Sequence, residues 1–213
     1  MIYEPSAAES PAAVRSLVLP MLEMDLVPIV QLGHPVLRRP ALPYEGQLQA
    51  DELQALIELM RRVMHHAPGV GLAAPQIGIP LRLAVLEDAY APDPDVAEAR
   101  ERTPLEFFTI INPRYEPEDA QTASFYEGCL SFEGYQGVVE RYRSVRLDYE
   151  DEHGQARQRT FSGWPARIVQ HETDHLNGIV YVDKAFTRSL SSNGEYPRWA
   201  ATDIEDARRT LGF

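Results

Sequence analysis

Between Asp51 and His66 the apolar residues Leu53, Leu56, Ile57, Met60, Val63 and Met64 recur at three- and four-residue intervals and make one stripe. The spacing predicts an amphipathic helix. Asp51 and Glu52 suit its electropositive start, and Pro68 with Gly69 stops it. The rhythm then changes. "LRLAVLE" (81–87) alternates, and "FFTIINP" (107–113) is β-branched and aromatic, so both read as strands. The polar, proline-rich "DAYAPDPDVAEARERTP" between them reads as a surface insertion. "VVERYRSVRLDYED", the turn "EHGQ" and "ARQRTF" read together as a long β-hairpin. "WPARIVQHETDHLNG" predicts a second helix, with Pro165 at its first position and Gly178 just past its end. Near the start, "QLGHPVLRRPALP" is a proline-punctuated loop or edge segment, and residues 1–25 read as a loosely ordered or partly helical extension. The tail from 184 carries a turn at "SSNGEYP" and a short last helix near "TDIEDARRTL". The pattern as a whole is α+β: antiparallel strands packed against two main helices.

Composition narrows the class of protein. A chain of 213 residues can bury a sizeable core as one domain with extended ends. Its one cysteine, Cys129, cannot form an internal disulfide. No run of about 18 apolar residues is present, so no membrane span is expected. Glu4 and Glu9 stand where a secretory signal carries Lys or Arg, which makes the cytoplasm the expected compartment. The net charge of −12, with 20 basic residues scattered among 32 acids, disfavours nucleic acid as a direct substrate.

The sharpest local pattern is His171-Glu172-Thr173-Asp174-His175. On a helix, positions i and i+4 lie about 40° apart, so both imidazoles share a face and can hold one metal ion. Glu172 beside them suits a general base acting on water. The bland alternative is a solvated helix face with two histidines by chance. Ile168, Val169 and Leu176 argue that the helix packs inward. A catalytic site needs a third protein ligand and one open position. Downstream, no histidine follows His175, and Glu195 sits in a turn. Upstream, Cys129 in "EGCLSFEGYQG" offers a thiolate. It could otherwise be a small buried hydrophobe or, less readily, a nucleophile. In "GVGLAAPQIG" (69–78), Gly69 and Gly71 allow close backbone approach. Gln76 there is either a carbonyl-polarising amide or a buried side chain bonded to backbone. His34, His65, His66 and His153 read as surface residues.

Taken together and in this order, "GVGLAAPQ", "EGCLS" and "QHETDHLNG" resemble the three motifs of peptide deformylases, and "GHPVLRRP" resembles that family's opening segment, with His34 in place of Asp. The resemblance covers about Leu26 to Phe186, leaving residues 1–25 and 187–213 as extensions around a catalytic domain. It implies antiparallel sheets packed around a central helix that carries the His-Glu-x-x-His motif. It also implies a metallohydrolase that removes the N-formyl group from formyl-methionine at the start of new polypeptides by attack of a metal-bound hydroxide. Cys129, His171 and His175 would hold one divalent ion. The family implies Fe2+, with Zn2+, Ni2+ or Co2+ as alternatives, whereas an S,N,N donor set alone reads first as zinc. Glu172 would be the general acid and base, and Gln76 and the Leu130 N–H would meet the oxyanion. Among expected substrate contacts, Gly71 would bond an extended peptide, Val70, Phe125 and Ile168 would form the methionine pocket, and Glu127 would join them. Formyl-methionyl nascent chains are the expected partners, with transient ribosome contact through Arg208 and Arg209 rated below a packing role for the last helix. Two departures stand out: Phe132-Glu133 replaces Ile or Val followed by Pro, and Gln136 replaces a basic residue. The rival readings are a peptidase of internal bonds, which would need Glu195, and a non-catalytic binder of nascent-chain termini, which would not need Glu172.

Overall fold

The computed structural model describes residues 10–90, 94–200 and 204–213. Its first helix, α1 (Pro11–Leu22), starts where Ser10 accepts a hydrogen bond from the Ala13 N–H and Pro11 takes a first-turn position. Of the two readings of the extension, the partly helical one holds over 11–22, where Val14 and Val18 are fully buried in the same core as α2 (Ala50–His66), while residues 1–9 lie outside the described residues. The stripe predicted for α2 is the one buried, with Leu59 added. Each such side chain contributes about 1.5–3 kcal/mol on burial.

The rest of the chain runs β1 (Gly71–Ala73), β2 (Leu83–Asp88), the short α3 (Pro94–Ala99), β3 (Leu105–Pro117), β4 (Thr122–Cys129), β5 (Phe132–Tyr142), β6 (Ser144–Glu150), β7 (Ala156–Ser162), α4 (Gly163–Leu176), β8 (Ser191–Ser192), α5 (Pro197–Ala200) and α6 (Ile204–Leu211). The insertion expected between β2 and β3 contains α3, and three of its residues, 91–93, lie outside the described residues. Two sheets result, with orders β1-β2-β3-β6-β7 and β4-β5-β8, and every strand pair is antiparallel.

One expectation needs correcting. The long hairpin was expected to begin at Val138, but that segment belongs to β5, which pairs with β4. The chain changes sheets at Arg143, whose N–H donates to the Gln121 carbonyl and whose carbonyl accepts from Gly163 N–H. Only β6 and β7 form the predicted hairpin. Alternation does slip at that corner, where the polar Arg143 and Ser144 follow one another between Tyr142 and Val145, a mark that the hairpin expectation passes over.

Helix α4 lies at the centre of the two-sheet arrangement. Ala166, Ile168, Val169 and Leu176 pack into a core shared with Ala84, Leu86, Ile110, Val145 and Leu147 of the larger sheet. The expected α+β class, antiparallel sheets around a central helix, is the observed one. The last helix is tied down by Ala207, which is buried beside Tyr126 and Val138. Among the described residues no helix is long and apolar enough to cross a membrane.

Candidate metal centre and substrate cleft

Three local structures deliver the three predicted donors. Helix α4 runs unbroken through His171 and His175, and Gly178, at φ 75°, follows its end. The two imidazoles lie one turn apart with ring centroids at 5.0 Å. Cys129 ends β4, just before the two-residue turn Leu130-Ser131 that leads into β5. The β4–β5 register shifts between Glu127 and Cys129, so the bulge at Gly128 re-aims the cysteine. Cys129 Sγ stands 3.2 Å from His175 Nε2, and the donor atoms of Cys129, His171 and His175 all lie within 4.8 Å of one another. A thiolate and two imidazoles at this spacing fit a divalent ion in a site with one position left open. Glu195 does not join them. It is exposed and ion-paired with Arg198.

Behind the histidines lies a buried ion network that the sequence reading missed. Glu127 accepts from Arg141 Nε at 2.6 Å, Arg141 Nη2 at 3.0 Å and Arg167 Nη1 at 2.6 Å, and its Oε2 is 3.0 Å from His171 Nδ1. Arg141 Nη1 also donates to Asp174 at 2.7 Å, and Lys184 bonds the same carboxylate. Burial would push Glu127 up, but Arg141, His171 and Arg167 hold it well below the usual carboxylate range. Glu127 lines the cleft, but both its oxygens are committed to these partners, and the carboxylate faces His171. A carboxylate behind a ligating histidine fixes the ring's tautomer and direction. His175, by contrast, is held well below the usual histidine range by burial and by His171, which favours the neutral ring a ligand must be.

Glu172 points to the other side. It is buried, and its Oε2 has no hydrogen-bond partner among the described residues. Burial pushes its carboxyl up to about 7. Gly71 makes room for it: a Cβ on Gly71 would sit 2.3 Å from Glu172 Oε1. Gln76 is buried and bonded to backbone, the second of its two readings. Its Oε1 accepts from the Ala73 N–H at 2.8 Å, which aims its Nε2 at Cys129 Sγ, 3.6 Å away, and at Ser131 Oγ, 3.4 Å away. Leu130 occupies the turn beside Cys129, and its carbonyl accepts from Gln31 Nε2.

These groups open into a cleft of about 1020 Å³ that Val70, Gly71 and Ile168 line. Phe125 does not line it. Its ring packs edge-on against Trp164 and under Arg167, while Trp164 itself takes the place on the wall. Trp164 precedes Ile168 by one helical turn on α4, a spacing that could have found it.

Sequence comparison agrees with this geometry. A sequence model of the polypeptide deformylase family matches residues 26–190. The chain is 53% identical over 189 residues to peptide deformylase 1 of Streptomyces coelicolor, covering 88% of this chain and 86% of that one. It is 36% identical over 200 residues to the human mitochondrial peptide deformylase, covering 88% and 82%. Among solved structures, the Met-Ala-Ser-bound class I type b peptide deformylase of Acinetobacter baumannii superposes with a TM-score of 0.68 at 33% identity, over 76% of this chain and 99% of that one. The chain belongs to the peptide deformylase family, hydrolases that act on the N-formyl amide.

Proposed function

We propose that this protein removes the formyl group from the N-terminal formyl-methionine of newly made polypeptides, releasing formate. The observation that carries the reading is the placement of Glu172. It is buried beside three ligand-type donors, with one oxygen unpartnered among the described residues and the Gly71 backbone against it. A divalent ion bound by Cys129, His171 and His175 would supply the charge that acidifies water and polarises the formyl carbonyl. Fe2+ is the ion the family pattern favours, with Zn2+, Ni2+ or Co2+ able to occupy the same donors.

The chain's own residues do the rest. Glu172 takes a proton from the attacking water and returns it to the departing amine. Burial raises its carboxyl above the ordinary range, which suits it to hold the proton between the two transfers. The Gln76 amide, held by the Ala73 N–H, and the Leu130 N–H donate to the oxygen that gains charge. The substrate lies extended along β1, bonding the backbone at Gly71 as an added strand. Val70, Ile168 and Trp164 take the methionine side chain. A formyl carbon bears only hydrogen, so the small Gly71 on the cleft wall allows a tight fit there and disfavours acetyl groups, while Ala73 and Ala74 lie in the core and not on the wall. The substrates are nascent chains, met in the cytoplasm with transient ribosome contact. The peptidase rival loses its ligand, because Glu195 stands away from the donor triangle.

The test is turnover of formyl-Met-Ala-Ser by protein purified anaerobically and loaded with Fe(II) or Ni(II). Formate release that vanishes in Glu172→Ala supports the reading. Cleavage of internal peptide bonds that survives Cys129→Ala overturns it.

A further inference from the structure

Trp164 keeps its place on the cleft wall without a hydrogen bond from its indole. The Nε1 atom is buried and has no partner among the described residues. A tryptophan ring turns about two side-chain torsions. A wall that swings loses part of its contact energy when a ligand orders it. The ring therefore depends on its neighbours for its position.

Three arginines supply them. The guanidinium carbon of Arg100 lies 5.3 Å from the ring centroid, that of Arg102 5.7 Å and that of Arg167 5.9 Å. All three are within cation–π range. They differ in what holds them. Arg102 makes two bonds of 2.8 Å to the buried Asp88. Arg167 is tied to Glu127 and to the Val139 and Ala123 carbonyls. Both lean on the two sheets. Arg100 reaches elsewhere: its Nη2 donates to Tyr196 Oη at 2.8 Å, across 96 residues of sequence.

Both ends of that link are fixed. Tyr196 packs edge-on against the buried Tyr126, with centroids 5.4 Å apart, and its N–H donates to the Ser192 carbonyl at 2.8 Å. Beside Arg100, the Glu101 carbonyl accepts from the Trp164 N–H at 3.2 Å. Gly163, at φ 64°, fits against that carbonyl, where a Cβ would come within 2.5 Å of the oxygen. The insertion after β2 and the C-terminal extension thus meet at one residue of the cleft wall. Neither Arg100 nor Tyr196 lines the cleft itself.

We propose that Arg100 and Tyr196 are positioning residues for methionine selection: the C-terminal extension holds Arg100, and Arg100 holds the Trp164 ring against the methionine side chain. The inference rests on the deformylase reading. Its test uses the Ni(II)-loaded full chain and compares formyl-Met-Ala-Ser with formyl-Ala-Ala-Ser, which lacks the side chain that Trp164 takes. In Arg100→Ala the KM for the methionine peptide rises by about 3- to 10-fold with kcat within about twofold, and the alanine peptide is nearly unaffected. The Met-to-Ala ratio of kcat/KM therefore falls. Tyr196→Phe keeps the ring on Tyr126 and loses only the hydroxyl, so the same ratio falls less, by about 2- to 3-fold. Arg100→Lys keeps the cation and recovers part of the ratio. The double variant Arg100→Ala/Tyr196→Phe is no worse than Arg100→Ala, because one residue acts through the other. With Trp199→Phe as a common background, Trp164 is the one tryptophan, and its emission shifts in Arg100→Ala. A Met-to-Ala ratio unchanged in Arg100→Ala and Tyr196→Phe, or equal losses for both peptides, which a merely structural role gives, overturns the inference. A parent that fails to turn over formyl-Met-Ala-Ser sinks the deformylase reading by itself. The positioning role then stands or falls on whether Arg100→Ala weakens binding of Met-Ala-Ser more than that of Ala-Ala-Ser, read by Trp164 emission.

Discussion

Helix α4 turns two unlike faces to its surroundings. Behind it, every charge is matched: Glu127 meets two arginines and His171, and Asp174 meets Arg141 and Lys184. Toward the cleft, Glu172 Oε2 is buried with no partner among the described residues. Both faces are polar and both are shielded from water, so burial alone does not separate scaffold from chemistry. Among these three carboxylates, pairing does: Glu127 and Asp174 are fully engaged, and Glu172 keeps an oxygen free at the cost of burying it unpaired.

The comparison breaks most visibly at Glu172. Glu172→Ala should lower kcat/KM for formyl-Met-Ala-Ser by about 10²- to 10⁴-fold, the usual worth of a positioned acid–base group. Its melting temperature should stay level or rise, because the lost carboxyl had an unpaired buried oxygen. A turnover within tenfold of the parent would refute the role. The opposite break is Arg141→Met. It leaves Glu127 and Asp174 short of their main partner in the interior. Breaking a buried pair from one side costs about 3–5 kcal/mol. Urea unfolding should show a loss of that size, and a loss under about 1 kcal/mol would mean that the network does not hold the helix.

The sequence showed one face of α4 far better than the other. His171, His175 and Cys129 were readable because ligand chemistry demands particular residue types at short, regular spacing. The stripe of α2 was readable for a similar reason, since one period accounts for all its apolar positions. The supporting network had no such signature. Arg141 looks like one more polar position in an alternating strand, and its partners lie 14 and 33 residues away. Only strand register and the turn of α4 bring them together. The part of Glu127 was hidden for the same reason: only the fold shows that its oxygens go to Arg141, Arg167 and His171. Phe125 sits in β4, a strand that the pattern did not predict, and its ring supports Trp164 from behind.

Two smaller changes sharpen the comparison where the faces meet. Gly71→Ala places a Cβ 2.3 Å from Glu172 Oε1, so the carboxylate must move. Misplacing a catalytic group by about 1 Å can cost on the order of 10²-fold. The expected result is a loss near that size in kcat, with a melting temperature within a few degrees of the parent. Equal activity would show that Glu172 tolerates displacement. Glu127→Gln keeps the shape but removes the charge behind His171. Metal affinity, read by competition with a chelator, should fall about 10- to 100-fold. An unchanged affinity would mean that Glu127 serves only Arg141 and Arg167.

The smallest change tests whether the matched face is matched more than once. Asp174 has two cationic partners that differ in exposure: Arg141 is 1% exposed and Lys184 is 34% exposed. If pairing in the interior is what counts, the two should not be equivalent. Lys184→Ala leaves Asp174 bonded to Arg141, so no buried charge is stranded. It should therefore cost no more than the about 0–1 kcal/mol typical of a partly exposed pair, and the cost should shrink in high salt. A Lys184→Ala loss as large as that of Arg141→Met would overturn this ranking. Asp174 would then depend on both cations together, and the back of α4 would be a cooperative unit with no redundancy. In the double variant Arg141→Met/Lys184→Ala, strict additivity would indicate independent partners, and a loss beyond the sum would show that Lys184 matters only once Arg141 is gone.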